Sequence, residues 1–238
     1  MSTVIVTGGT RGIGLAICEK LLEDGYKVIA TGRNPSKDDK LSSPNISYQS
    51  LELTSQVSIQ KFCEVISNVP SLSGLVNNAG INIIEPFAEI TDENFEQVIS
   101  TNLKASFIIS RAVVEKLQSS QSHGRIVHIG SIWSVISKSG RASYSASKSA
   151  LIGLTRAMSA ELASQGILVN MVSPGFVNTE LTARSLTPEE TKALTSQVPI
   201  NRMAEPREIA EVVEFLLSER NSYISGQNIV VDGGFSHV

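Results

Sequence analysis

The chain has 238 residues, 41% of them hydrophobic, which is enough to bury a full core as one α/β domain. A formal net charge of −3 with no cluster of lysines and arginines offers no sequence-independent grip on nucleic acid or anionic lipid, and favours small or neutral partners. The longest apolar runs are strand-length and the first strand begins within three residues of Met1, so neither a membrane span nor a signal peptide is expected, and a cytoplasmic location is.

Short β-branched runs alternate with longer helical patterns along the chain. A strand over 3–7 leads through Thr7-Gly8-Gly9-Thr10-Arg11-Gly12-Ile13-Gly14 into a helix over 13–24, which Asp24-Gly25 stops. A strand over 26–31 runs into a polar loop at 34–45; then come a strand over 47–51, a helix over 55–68 and a strand over 74–77. Thr91-Asp92-Glu93-Asn94 caps the start of one long helix over 92–119, followed by a strand over 125–130 and a helix over 143–164. A strand over 167–173, a stretch at 178–205 enclosing a short helix, a helix over 206–218 and a strand over 228–231 complete the order. Cys18 and Cys63 fall on separate helices without CxxC or His neighbours and read as core or half-buried residues, not as a disulfide or zinc site. Three histidines and no paired acidic ligands predict no catalytic metal. Strand, helix, strand repeated in this way predicts parallel pairing through right-handed crossovers. The fold expected is a single-domain, Rossmann-type doubly wound α/β sheet of about seven parallel strands, flanked by helices on both faces and spanning 1–238.

The glycine stretch between the first strand and the first helix carries the first functional signal. Glycines remove side chains where a pyrophosphate must approach the backbone, and the free N–H groups and positive end of the following helix face that charge. It therefore reads as the phosphate-binding turn of a dinucleotide fold. Cofactor choice follows from the second strand. An NAD site places a carboxylate about 20 positions beyond the turn, to accept hydrogen bonds from the ribose hydroxyls. Here the strand ends Ala30-Thr31-Gly32-Arg33-Asn34, with no carboxylate. Arg33 and Arg11 would instead grip a 2′-phosphate through charge-assisted bonds, so NADP(H) is favoured over NAD(H). The alternative leaves Arg33 solvated and Arg11 paired with a nearby acid.

Ser131 ends the fifth strand, and Tyr144 and Lys148 lie four residues apart on the next helix, hence on one face. A phenol with an unperturbed pKa of ~10 is a poor proton donor or acceptor at neutral pH, and an adjacent ammonium brings it toward working range. Ser131 would face the same crevice and hydrogen-bond the oxygen of a bound carbonyl, since open parallel sheets bind ligands at the carboxyl edge.

With these residues in place, the chain resembles the short-chain dehydrogenase/reductase family over nearly its whole length. Its pattern is closest to 3-oxoacyl-(acyl-carrier-protein) reductases and related NADPH-dependent ketone reductases. The resemblance rests on the glycine stretch, Asn77-Asn78-Ala79-Gly80, Asn102, Ser131, Tyr144-Ser145-Ala146-Ser147-Lys148, Pro174-Gly175 with Thr179, Ser225-Gly226-Gln227 and Asp232-Gly233-Gly234. It implies a catalytic tetrad of Asn102, Ser131, Tyr144 and Lys148 in an NADP-dependent oxidoreductase. Hydride would pass from the nicotinamide to a carbonyl carbon of a ketone, aldehyde or 3-oxoacyl group while Tyr144 protonates the oxygen. Ser131 would align that oxygen, Lys148 would lower the Tyr144 pKa and bind the nicotinamide ribose, and Asn102 would position water for a proton relay. The implied cofactor contacts are Gly8, Thr10, Arg11, Gly12, Ile13, Gly14, Arg33, Asn34, Glu52, Leu53, Asn78, Ala79, Gly80, Tyr144, Lys148, Pro174, Gly175, Val177 and Thr179, the last holding the carboxamide. Glu52 stands where relatives commonly carry Asp beside adenine.

Trp133, Ile83, Ile84, Ile136, Phe176 and Leu181 would line an apolar pocket at the crevice mouth, or in part simply pack the core. Relatives that dock a carrier protein show basic residues where this chain has Gln121-Ser122 and Gln165, which weakens attraction to an acidic carrier and favours a free small ketone or aldehyde. Small or apolar residues on several faces of the helices at 92–119 and 143–164, Ala105, Ala112, Ala150, Leu151, Leu154 and Ala157, together with the resemblance, imply a homotetramer or homodimer. The alternatives are an NAD(P)-dependent secondary alcohol or sugar dehydrogenase, or a non-catalytic dinucleotide-binding sensor.

Overall fold

Apolar residues on both sides of the central strands dictate a sheet that must be covered on both faces. In the computed structural model, which describes residues 1–35, 41–180, 182 and 187–237, the strands are β1 (Thr3–Val6), β2 (Lys27–Gly32), β3 (Ile46–Ser50), β4 (Leu72–Asn77), β5 (Gly124–Ile129), β6 (Ile167–Pro174) and β7 (Asn228–Val231). They form one seven-stranded sheet in the order β3-β2-β1-β4-β5-β6-β7, and every pair is parallel. In β1, Val4 lies opposite Val28 on one side and Gly74 on the other. The order reverses at β1, where β2 departs to one side and β4 to the other. That reversal opens a crevice beyond the carboxyl ends of β1 and β4.

The two-residue period of the strands sorts the core into two layers. Val4 and Val6 pack with Ile17, Cys18 and Leu21 of α1 (Gly12–Glu23), and with Ile209, Val213 and Leu216 of the helix Pro206–Leu217. Ile5, between them in sequence, packs on the other side. Its partners include Phe62 and Ile66 of α2 (Gln56–Ser67), Ile109 and Val113 of the helix Ala105–Ser119, and Leu162 at the end of the helix Ala142–Leu162. Each such buried Ile or Leu contributes roughly 2–5 kcal/mol against truncation to Ala, so both layers are needed to hold the sheet. Cys18 is buried and Cys63 half-buried, both free, as expected. No helix among the described residues is long and apolar enough to cross a membrane.

Helix ends follow their local chemistry. Gly25 ends α1 at φ +81, and the Thr91 hydroxyl accepts from the Asn94 N–H at 3.2 Å to start α3 (Asp92–Ile99). The expected single helix over 92–119 is divided. After α3 the chain takes a five-residue π-helical course, Ser100–Lys104, before α4 (Ala105–Ser119). The hydrophobic pattern is indifferent to whether one turn carries an extra residue, so the sequence reading missed this widening. Asn102 sits in it. Beyond these come α5 (Ala142–Leu162), α6 (Pro188–Thr195) and α7 (Pro206–Leu217). The segment holding α6 is pinned at both ends: Ala204 N donates to Phe176 O at 2.9 Å, and Asn178 N to Ala204 O at 2.8 Å.

Candidate active site

The turn after β1 is built for close approach. A Cβ on Gly14 would lie 2.2 Å from the Gly8 carbonyl oxygen and 2.4 Å from Asn78 Nδ2, so only glycine lets α1 start this near the strand ends. Asn78 ties β4 to the turn by donating to the carbonyls of Thr7 (2.9 Å) and Gly8 (3.1 Å). The Thr7 hydroxyl in return accepts from the N–H groups of Asn78 and Ala79 at 3.0 and 3.2 Å. Arg11 occupies the N-cap of α1 but makes no side-chain cap bond, and the first turn carries no acid. The leading N–H groups of this helix are thus open to an anion. Arg11 and Arg33 are exposed, and neither forms an ion pair among the described residues. This cradle, with no side chain capping the helix start, fits a dinucleotide.

The other expected cofactor contacts cluster at the same edge. Thr10, Ile13, Leu53 and Ala79 are half-buried, Asn34 is exposed, Pro174 ends β6, and Gly175 and Val177 follow it. Thr179 stands against Gly12, its Cγ2 3.6 Å from where a Cβ on that glycine would be. Glu52 is turned into its own loop: its Oε1 accepts from the N–H and hydroxyl of Thr54 at 3.3 and 3.0 Å.

Ser131, Tyr144, Lys148 and Asn102 come from three elements and converge beyond β4 and β5. The π-helical turn lets the Asn102 amide face the segment after β4, where Oδ1 accepts from Ile81 N and Nδ2 donates to Ile81 O, each at 2.9 Å. Nδ2 also donates to Ser147 Oγ at 3.0 Å, and Ser147 donates in turn to the Tyr144 carbonyl at 2.8 Å. Ser147, three residues beyond Tyr144 on the same helix face, is named in the sequence only as part of the Tyr144–Lys148 motif and given no role, although its spacing carries the signal. Gly80 lies over this group: a Cβ there would be 3.1 Å from Asn102 Oδ1 and 3.4 Å from Lys148 Nζ.

Lys148 is buried, donates to the Ile129 carbonyl at 2.8 Å, and has its Nζ 5.7 Å from the centroid of the Tyr144 ring. Burial lowers its pKa to about 8. The expectation that Lys148 lowers the Tyr144 pKa is corrected here. Burial raises the phenol above its ordinary value, and the opposing influences are a hydrogen bond with Ser131 and the charge of Arg141, not Lys148. Desolvation of a phenolate outweighs a cation held at the strand end. Beneath Lys148 lies His128, fully buried, accepting at Nδ1 from Asn77 Nδ2 at 3.1 Å; burial and the Lys148 charge push it down to about 4.

Of the expected pocket residues, Trp133 is buried and meets Phe176 edge-on at 6.2 Å, and Phe176 meets Phe235 at 5.0 Å. Ile83 and Ile136 are half-buried, whereas Ile84 is exposed and packs over Gly140. Leu181 lies outside the described residues. Gln165 accepts from Gln118 at 2.8 Å, at the amino-terminal edge of the sheet with Gln121 and Ser122.

Comparison with known proteins places this geometry. A family model described as enoyl-(acyl carrier protein) reductase matches residues 8–236. The 3-oxoacyl-(acyl-carrier-protein) reductase FabG of Rickettsia felis is 37% identical over 232 residues, 98% of this chain and 95% of the relative. A short-chain dehydrogenase family protein from Francisella tularensis superposes with a TM-score of 0.90 at 31% identity, covering 100% of both chains. A Beutenbergia cavernae protein, described as an NAD(P)-dependent gluconate 5-dehydrogenase with NADP bound at low occupancy, gives a TM-score of 0.92 at 32% identity, over 98% of this chain and 96% of that one. Full-length likeness at this level, together with the doubly wound sheet and its polar edge, makes the chain a member of the short-chain dehydrogenase/reductase family of oxidoreductases.

Proposed function

We propose that this chain is an NADPH-dependent carbonyl reductase, folded as one domain over 1–238 with a substrate loop and short helix at about 178–205, in which Asn102, Ser131, Tyr144 and Lys148 carry the chemistry. The observation that carries the reading is the convergence of the Tyr144 phenol, the Ser131 hydroxyl and the buried Lys148 amine beside a helix start without a side-chain cap, where Arg11 and Arg33 form no ion pair among the described residues. Bound NADPH supplies the hydride. Ser131 hydrogen-bonds the carbonyl oxygen and fixes it against Tyr144. Tyr144 holds its proton at neutral pH because burial raises its pKa, and gives it to that oxygen as charge develops there. Lys148, near its own pKa at about 8, resupplies the proton, and its anchor on Ile129 keeps it in place. Asn102 positions the relay and holds the Ile81 backbone.

The match of relatives over the whole chain favours 3-oxoacyl groups among carbonyl substrates; the neutral Gln121, Ser122 and Gln165 favour a substrate free of its carrier. Exposed Phe95 and Phe107 on α3 and α4, and the exposed small residues Ala150, Gly153 and Ala157 on α5, support a homotetramer or homodimer through these helices. The two free cysteines fit a cytoplasmic setting.

The test is NADPH oxidation with a 3-oxoacyl thioester and with small ketones. Tyr144→Phe keeps the ring and lowers kcat by about 10²–10⁴. Full activity in that variant, with NADPH still bound, would contradict the assignment.

A further inference from the structure

Arg141 is the N-cap of α5, three residues before Tyr144, and its placement is built. Ser145 N donates to its carbonyl at 2.7 Å, the preceding loop is tied to the helix by the Ser137 and Ser145 hydroxyls at 2.8 Å, and Gly140 O accepts from Glu85 N at 3.4 Å. The guanidinium lies against Trp133, its central carbon 5.8 Å from the ring centroid, and Lys138 Nζ stands 5.5 Å from the same ring. Neither cation pairs with a carboxylate among the described residues. The acid on the neighbouring segment, Glu85, is engaged elsewhere, its Oε1 accepting from Asn94 at 2.6 Å. Arg141 Nε is buried with no hydrogen-bond acceptor among the described residues. A desolvated charged donor without an acceptor is costly, and such a group at a site edge is satisfied when a ligand supplies the oxygen.

We infer that Arg141 is a specificity-determining residue that holds a carboxylate on the substrate, so that the enzyme takes small oxo acids in preference to neutral ketones or esterified acyl groups. This rests on the carbonyl reductase reading above. The planar guanidinium matches a carboxylate in a two-bond fork, and the Trp133 contact holds it while its remaining N–H groups stay free. Arg141 is the N-cap of α5 and Tyr144 lies in the first turn of the same helix, three residues on. A carboxylate held by Arg141 thus sits a few bonds from the oxygen that Tyr144 protonates. The Arg141 charge also acts on the Tyr144 phenol, opposing the rise that burial causes. Trp133, Phe176 and Phe235 supply an apolar wall for the rest of the molecule.

The experiment is initial-rate NADPH oxidation with 3-oxo acids of four, six and eight carbons and with their methyl esters, using wild type, Arg141→Gln and Arg141→Lys. Wild type is expected to favour acid over ester. Arg141→Gln should lower the acid-to-ester ratio of kcat/KM by about ten- to a hundredfold, mainly through KM for the acid, and Arg141→Lys should restore part of it. A ratio unchanged by Arg141→Gln, or acid and ester losing activity equally, overturns the assignment. A wild-type enzyme that reduces esters or 3-oxoacyl thioesters but not the acids overturns it while leaving the reductase reading intact, whereas reduction of none of these removes both.

Discussion

Lys148 Nζ stands 5.7 Å from the centre of the Tyr144 ring while donating to the Ile129 carbonyl at 2.8 Å, so this cation is anchored to the end of β5 and not to the phenol. The pair is thereby split into two titrations of opposite direction, a phenol raised by burial and an ammonium lowered by it to about 8. The first acid lost on raising the pH is Lys148.

Reduction therefore weakens above about pH 8 as Lys148 gives up its proton, and not in the range of a free phenol. kcat/KM for a ketone, measured at saturating NADPH, should fall about tenfold per pH unit on that limb. A profile flat to pH 10 would show that the Lys148 charge is not required.

Stability carries the imprint of His128. Its folded pKa of about 4 lies below the ordinary 6.5, so the native state holds it neutral while the unfolded chain takes up a proton between those values. More protons on the unfolded state mean that stability falls as the pH drops from 6.5 toward about 4, by roughly 3 kcal/mol for this group. Urea unfolding at pH 7 and pH 4.5 should show the loss in wild type and a smaller one in His128→Asn. Lys148 acts in the other window: its penalty is constant below about 8 and is relieved as the pH rises toward 10.5, where only the unfolded chain stays protonated.

Arg33 and Arg11 should decide the cofactor. Loss of either guanidinium to alanine should cut kcat/KM for NADPH about ten- to a hundredfold while changing NADH use little, and Arg33→Asp should invert the preference. Rates with both coenzymes at one ketone concentration provide the check, and a wild-type preference for NADH would refute the phosphate-gripping role.

Asn102 combines positioning with stability. Asn102→Ala leaves the Ile81 N–H and carbonyl without their partners and removes a bond to Ser147. About 2–4 kcal/mol of stability should go, with a drop in kcat exceeding that in NADPH affinity. Thermal unfolding and saturation kinetics separate the two effects. A Tm and kcat both equal to wild type would show the π-helical turn to be idle.

Local spacing made much of this site readable. Tyr144 and Lys148 share a helix face at four residues, Ser131 follows two residues after a strand, and the glycines before α1 sit where a strand turns into a helix. What stayed hidden arises between distant segments. Asn102 read as part of an ordinary helix because a π turn leaves the apolar pattern intact, and Arg141 was passed over because nothing nearby in sequence shows that Trp133 would shield it or that no acid would answer it. Glu52 was placed beside adenine by its position after β3, yet Thr54, two residues on, draws its carboxylate into the loop.

The amino-acid order alone determined the alternation of strand and helix, the burial of both sheet faces, and the residues able to donate a proton, carry a charge and admit a phosphate, since each depends on chain neighbours within one or two turns. Tertiary structure decided the direction of the Tyr144 shift, the anchoring of Lys148 on Ile129 and the isolation of the Arg141 donor. Those properties are sums over everything packed around a group. Desolvation and unanswered charge come into being only when segments far apart in the chain close over the same few atoms.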